Sequence, residues 1–359
     1  MSRRRRGADH ALDDPRVRGM LAGAELLYSA VKAKRGPHLT PTAVSWEADR
    51  LWAVAPKDSV KVRTLRRDPR LGLLISDGDG ADGRHLVGTG VVRLYDPLDL
   101  PTSYRVGELL RAPFGAARYL AENTRHAVGV VLDDPNPFAL VDRVVLSVDL
   151  RRVALVQDDA VVDAWGDWPR ASLLGPPDPV SGGPLVLPDR TPAWAARLLT
   201  RDRRVQIGWR SVDGPLALPA TWSADGDAAT TSADLLALAG ALPEGPACLT
   251  SARNSYRMND KIGILLRGEG RATLTGDGTA RVTLAPTRVT HWRGKTARTL
   301  PTASTTGTSR PGTGGTDPSS TGTGGADPSS TDPSSPDPSS PDPSSPDPSS
   351  TGTTSGAHA

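Results

Sequence analysis

The sequence predicts a mostly β protein, with two tandem β-barrel domains, flanking helices and a disordered C-terminal tail. Three observations predict it. Residues 301–359 repeat an Asp-Pro-Ser-Ser unit at Asp332, Asp337, Asp342 and Asp347, with no large apolar residue after Leu300. Such a segment cannot bury enough surface to offset its chain entropy. Before it, runs rich in Val, Leu, Thr and Trp alternate with Gly-, Pro- and Asp-rich turns, the pattern of short antiparallel strands. Finally, three motifs recur in the same order: GPHLTPTAVSW (36–46) with GPLALPATW (214–222), LVGTG (86–90) with LRGEG (266–270), and RVVLSVDLRRV (143–153) with RVTLAPTRV (281–289). About six strands per copy suit a closed or split barrel, and a sandwich would satisfy the same periodicity.

Taken in order, residues 1–12 are expected to be a disordered basic N-terminus. The first domain is expected over 13–170, a linker over 171–189, the second domain over 190–300 and the tail over 301–359. Asp14-Pro15 can cap and start a helix, and apolar residues at spacings of three and four carry it to about Lys34. Residues 38–46 and 50–55 form a hairpin, and Ser59 caps a short helix with Val62 and Leu65 on its buried side. Asp68-Pro69 ends it before a strand at 70–76. A glycine-bearing strand at 85–96, a mostly helical insertion around Pro113 and a strand at 143–156 complete the copy. In the second copy the basic helix is missing from the pattern, and Ser255, Arg257 and Lys261 are candidates to mimic its cations.

The chain carries 43 basic and 40 acidic residues. The tail holds one arginine against six aspartates, so it is −5 and the remainder +8. Spread over two domains, that surplus favours a small anionic ligand at least as much as nucleic acid. The arginine run at 3–6 is followed by GADHALDDPR rather than an apolar segment, so no export signal is expected. No stretch reaches the roughly 18 apolar residues of a membrane helix. The single cysteine, Cys248, excludes an internal disulfide and a Cys-rich zinc site. A soluble cytoplasmic protein is expected.

Catalytic signatures are scarce. The histidines lack metal spacing, no GxSxG, HExxH or P-loop is present, and the Asp133-Asp134 and Asp158-Asp159 pairs read as solvated turns. One stretch stands out: DSVKVRTLRRDPR (58–70), where Ser59 and Lys61 open a helix directly after a hairpin. A phosphate there could accept hydrogen bonds from the first-turn amides, the Ser59 hydroxyl and the Lys61 ammonium, with Arg63 or Arg66 in reserve. A solvated basic helix face is the alternative.

The segment KRGPHLTPTAVSWEADRLWAVAPKDSVKVRTLRRDPRLGLLIS, with its Leu-x-x-Asp-Pro-Arg motif at Leu65–Arg70 and the later LVGTG strand, resembles the pyridoxamine 5′-phosphate oxidase-related, FMN-binding split-barrel superfamily. The resemblance spans about residues 20–156, with a weaker copy over 190–300. It implies a flavin site lined by His38, Leu39, Thr40, Pro41 and Thr42, by Val54, Ala55 and Pro56, and by Ser59, Val60 and Lys61 at the phosphate. It implies FMN, or the deazaflavin F420, as cofactor, a small-molecule substrate, NAD(P)H as a candidate reductant, and a dimer interface that the two copies would form internally as a pseudo-dimer, in a monomeric or homodimeric chain. The second basic residue often found beside the phosphate lysine is replaced by Val60, and no counterpart of the oxidases' C-terminal basic segment is found, so the named oxidase reaction does not carry over. Three readings stand: a flavin-dependent oxidoreductase, a non-catalytic module binding flavin, haem or another planar ligand, and, least favoured, a nucleic-acid contact protein. No metal site is expected.

Overall fold

A computed structural model describes residues 7–77, 83–96, 143–169, 185–201, 204–223, 226–253, 260–275, 277–294 and 296–302. The expected insertion around Pro113, the Asp133-Asp134 pair, Ser255, Arg257, Arg3–Arg6 and nearly all of the tail lie outside them, and the linker is described only from residue 185. The fold is mostly β, as expected.

The chain begins with a 3-10 helix, Gly7–Asp13. Residues 7–12 are therefore ordered rather than part of a disordered terminus, because Ala8 and Ala11 are small enough to pack into the core at 2% and 0% exposure. Asp14 then caps α1 (Pro15–Ala22), accepting from the Arg16 amide at 2.8 Å. The helix ends at Gly23 instead of near Lys34, and Leu26–Ala33 is a strand, β1. Leu27, Tyr28 and Val31 fit a helical spacing, yet β1 lies between two neighbours and buries both faces, so neither period is visible in its residues.

β2 (Gly36–Glu47) and β3 (Arg50–Pro56) follow, joined by Ala48 and Asp49, both at positive φ as a two-residue hairpin requires. Then come α2 (Val60–Leu65), β4 (Arg70–Ser76), β5 (Arg84–Tyr95), β6 (Arg143–Gln157) and β7 (Ala160–Trp165). Asp158 and Asp159 form the β6–β7 turn, again at positive φ. The sheet order is β3-β2-β1-β4-β5-β6-β7, and β3 also pairs with β6, closing six strands into a barrel. One half of the long β6 closes that barrel while the other half carries β7.

The second half repeats this plan with α3 (Ala193–Arg201), β8 (Arg204–Ser211), β9 (Gly214–Trp222), β10 (Ala228–Ser232), α4 (Ala233–Leu238), β11 (Glu244–Arg253), β12 (Ile262–Leu274), β13 (Thr279–Arg293) and β14 (Thr296–Pro301). Its order is β10-β9-β8-β11-β12-β13-β14, closed by β10–β13. The registers fix which residues correspond. Each first hairpin turns at a Gly-Pro, with Ala33 opposite Gly36 and Ser211 opposite Gly214. The β5–β6 bulge falls at Thr89/Gly90 and the β12–β13 bulge at Arg267/Gly268, so Gly90 corresponds to Gly268. The motif match instead aligned Gly88 with Gly268, and likewise Trp46 with Trp222 where the register places Val44. Both matches are two residues out. Arg152-Val153 and Arg288-Val289 do correspond.

The barrels meet along β1, β2 and β4 on one side and β8, β9 and β11 on the other. One apolar cluster spans both, joining Tyr28, Ala30, Leu39 and Leu74 to Ile207, Trp209, Leu216 and Leu249. Glycine permits the approach: a Cβ on Gly72 would lie 2.4 Å from the Pro215 carbonyl oxygen and 2.7 Å from the Leu216 Cα. No helix among the described residues is long and apolar enough to cross a membrane.

Because those neighbours are backbone atoms, Gly72→Ala is expected to destabilise the protein by about 1–3 kcal/mol through overpacking. Gly19→Ala, in α1 with nothing within 4 Å of the added methyl, is expected to stabilise it by about 0.5–1 kcal/mol. Chemical denaturation of the two variants checks both signs.

Candidate functional site

The cationic stretch at 57–70 sorts itself by ion pairing. Lys57 meets Asp96 at 2.7 Å, Arg66 meets the same carboxylate at 3.3 Å, and Arg70 meets Asp68 at 2.7 Å. Arg63 and Arg67 are exposed. Lys61 differs from all of them: it is 8% exposed, and among the described residues no carboxylate lies within ion-pairing distance. Its burial follows from helical spacing, since Lys61 stands four residues before Leu65 on the face that α2 presses into the barrel.

Ser59 caps this helix, with its hydroxyl accepting from the Val62 amide at 3.2 Å. That first-turn amide is therefore already satisfied, and the charge available to an anion is the ammonium of Lys61. It donates to the Thr42 hydroxyl in a close contact. Thr42 in turn lies 3.3 Å from the Ser29 hydroxyl, which donates to the Thr40 carbonyl. His38, Thr40 and Thr42 lie on one face of β2, opposite Val31, Ser29 and Leu27.

The other expected positions divide by strand alternation. Leu39 is fully buried in the cluster shared by both barrels, and Ala55 lies in the core of the first. Both are packing residues, with no side-chain surface turned to a ligand. Pro41 is half-buried opposite Tyr28, and Val54 packs with Trp52, Tyr95 and Val145 on the far side of β3. Pro56 is exposed and its carbonyl accepts from the Ser59 amide, while Val60 is exposed at the helix start.

Sequence reasoning missed one participant, Arg267 on β12 of the second barrel. Burial and then Arg267 and Lys61, both within electrostatic reach, push His38 down to about 3, so its imidazole is neutral at ordinary pH. The His38 Nδ1 and the Arg267 Nε are buried with no hydrogen-bond partner among the described residues. Among the described residues the Arg267 guanidinium donates to the Thr290 hydroxyl at 3.1 Å. The cluster thus gathers two cations and an imidazole with vacant hydrogen-bonding capacity. An uncompensated buried cation is costly, and an anionic ligand would supply its counter-charge. No motif marks Arg267, since it reaches the cluster only through barrel docking. Cys248, nearby, stays a thiol because burial pushes it up to about 12.

The corresponding place in the second barrel is built differently. Ser232 caps α4 as Ser59 caps α2, accepting from the Leu235 amide at 3.1 Å. The second copy thus has a Ser-capped helix at this place but, as expected, not a basic one. Asp234 stands where Lys61 does, Ala220 where Thr42 does, Leu216 where His38 does and Thr89 where Arg267 does. Lys261, expected as part of a mimic, sits just before β12, remote in register from α4. It is pushed down by burial and by Arg143 of the first barrel.

No family model and no curated protein matches the chain. Solved structures similar to it include a FAD-binding protein from Mesorhizobium loti (14% identity, TM-score 0.30, covering 39% of this chain and 91% of that one). An F420 reductase aligns at 20% identity and a TM-score of 0.27 over 38% of this chain and 94% of its own. A putative pyridoxamine 5′-phosphate oxidase from Listeria innocua aligns at 14% identity and a TM-score of 0.26 over 39% and 94%.

Burial pushes the Lys61 ammonium down to about 7, from an ordinary value of 10.5. Between those values the folded protein binds fewer protons than the unfolded chain, so the cost of burying the charge is full below about pH 7 and is relieved as pH rises. The ligand-free protein should therefore gain stability above about pH 7, with Lys61 contributing up to ~1.4 kcal/mol per pH unit. Lys61→Met should remove that component, and denaturation curves at several pH values for both proteins check it.

Proposed function

We propose that the chain binds a flavin-type cofactor, FMN or F420, with its phosphate against Lys61, His38 and Arg267, and acts as an oxidoreductase on a small molecule. The observation that carries this reading is the cluster at the barrel junction, with Lys61 buried, His38 and Arg267 half-buried and no ion-paired carboxylate among the described residues. The charges fit an anionic group. Lys61 and Arg267 would neutralise it from two barrels, the Thr40 and Thr42 hydroxyls lie on the same face of β2 to bond the chain beyond it, and neutral His38 could donate one further hydrogen bond. A bound flavin supplies hydride exchange at its ring, which asks of the protein orientation and exclusion of water rather than a catalytic triad. NAD(P)H is the candidate reductant.

A nucleic-acid role is less well supported, because Lys57, Arg66 and Arg70 are spent on carboxylates and leave no continuous cationic stripe. A binder without turnover shares the same site and differs only in activity.

The test is titration of the purified chain with FMN and with F420, followed by absorbance and fluorescence. Binding of one equivalent per chain is expected. Lys61→Ala should weaken it by about 1.5–3 kcal/mol, the cost of losing a charged hydrogen bond, and Arg267→Ala should also weaken it. Asp234→Ala, at the corresponding place in the second barrel, should leave it unchanged. Failure to bind either flavin would overturn the reading, and NAD(P)H consumption by the loaded protein separates enzyme from binder.

A further inference from the structure

A second cationic feature lies outside the site above. Where the first hairpins of the two barrels come together, a cleft of about 330 Å³ opens, at the small end of ligand pockets. Lys32, Lys34, Arg70 and Arg210 line it, and no carboxylate does. Arg70 is already held by Asp68 and donates to the Asp213 carbonyl across the junction at 3.0 Å, so it is fixed in place. Asp213 is itself engaged by Arg152 at 2.8 Å. Lys32, Lys34 and Arg210 have no ion-pair partner among the described residues, leaving like charges converging on one concavity.

The strand registers show that this cleft straddles the approximate two-fold relating the barrels. Lys32 of β1 and Arg210 of β8 hold the same position, opposite Pro37 and Pro215, which also line the cleft. The rest of the lining breaks the symmetry. Val212, 54% exposed, stands where the first barrel has Lys34, and Pro246 stands where it has Arg70. The cleft is therefore lined by both kinds of group, with Pro246 packed against Gly36 of the first barrel and Arg70 beside Gly214 of the second.

We propose that this cleft binds a compact organic anion, its phosphate or carboxylate head met by Lys32, Lys34 and Arg210, with Val212 and Pro246 offering contact to a short apolar body. The site is independent of the flavin reading, since it uses none of the Lys61, His38 or Arg267 side chains.

The test uses isothermal titration of the full chain at low salt with phenyl phosphate and phthalate, with inorganic phosphate as the comparator that lacks an apolar body. At least one aromatic anion should bind about tenfold or more tightly than inorganic phosphate, and raised salt should weaken it. The double variant Lys32→Ala/Arg210→Ala should lose at least about tenfold in affinity, as should Lys34→Glu, while Lys61→Ala should retain it. All of these side chains are exposed except Lys61, and circular dichroism of each variant confirms folding. No binding at millimolar concentration, affinity no better than that of inorganic phosphate, undiminished affinity in the charge variants, or loss only on Lys61→Ala would each overturn the proposal. The two aromatic probes also distinguish a phosphate head from a carboxylate head.

Discussion

The constraint on which the structure depends is the close approach of two barrels across strands that carry glycine where they touch. At Gly72 and at Gly208 the facing barrel fills space a side chain would need: the Pro215–Leu216 backbone in one case, Leu39 and Pro37 in the other. Only that distance lets one apolar cluster run through both barrels, and only that distance brings Arg267 of β12 within electrostatic reach of His38 on β2. A pair of barrels held apart by ordinary side chains would have the same strands and the same lysine, but no shared cluster. The candidate site is therefore a product of docking, and its chemistry belongs to neither barrel alone.

What the sequence made legible follows from what periodicity can report. The hairpins, the capped helix at 60–65, the glycine strand and the presence of two similar halves all left local marks: turn residues, a Ser cap, repeated Gly-Pro. The alignment of the halves did not. A slip of one residue would have moved every side chain to the opposite face and been noticed, whereas a slip of two preserves the alternation entirely. Matching Gly88 to Gly268 or Trp46 to Trp222 was such a slip, and only the bulges and hairpin registers correct it. β1 was hidden for a related reason: LLYSAVKA buries both faces, so its residues show neither period clearly.

The charged stretch illustrates the same limit in electrostatics. Composition counts Lys57, Lys61, Arg66 and Arg70 alike, although three of them are ion-paired, Lys57 and Arg66 sharing Asp96 and Arg70 meeting Asp68. The remaining one is carried inward by its position relative to Leu65. Burial removes most of its hydration and, among the described residues, supplies the hydroxyl of Thr42 in return, so its ammonium is held well below the usual lysine range. Position on the helix, rather than the density of charge, separates the buried cation from the ion-paired ones. The sequence marked Ser59 and Lys61 by their place after the hairpin, and it could not mark Arg267, whose relevance exists only in three dimensions.

Joining two barrels in one chain also changes what symmetry demands. In a dimer of identical subunits every residue appears on both sides of the two-fold, so a buried Lys61 would be accompanied by a second buried lysine and its full desolvation cost. Here the corresponding position is Asp234, and the positions matching His38, Thr42 and Arg267 are Leu216, Ala220 and Thr89. The cost of an uncompensated cation is borne once, while the other half keeps the Ser-capped helix and the strand order that docking requires. The same freedom shapes the cleft on the axis, where Val212 takes the place of Lys34 and Pro246 that of Arg70. A two-fold architecture with unlike halves can thus line one cleft with unequal groups at corresponding positions, which two identical subunits meeting on their axis cannot do.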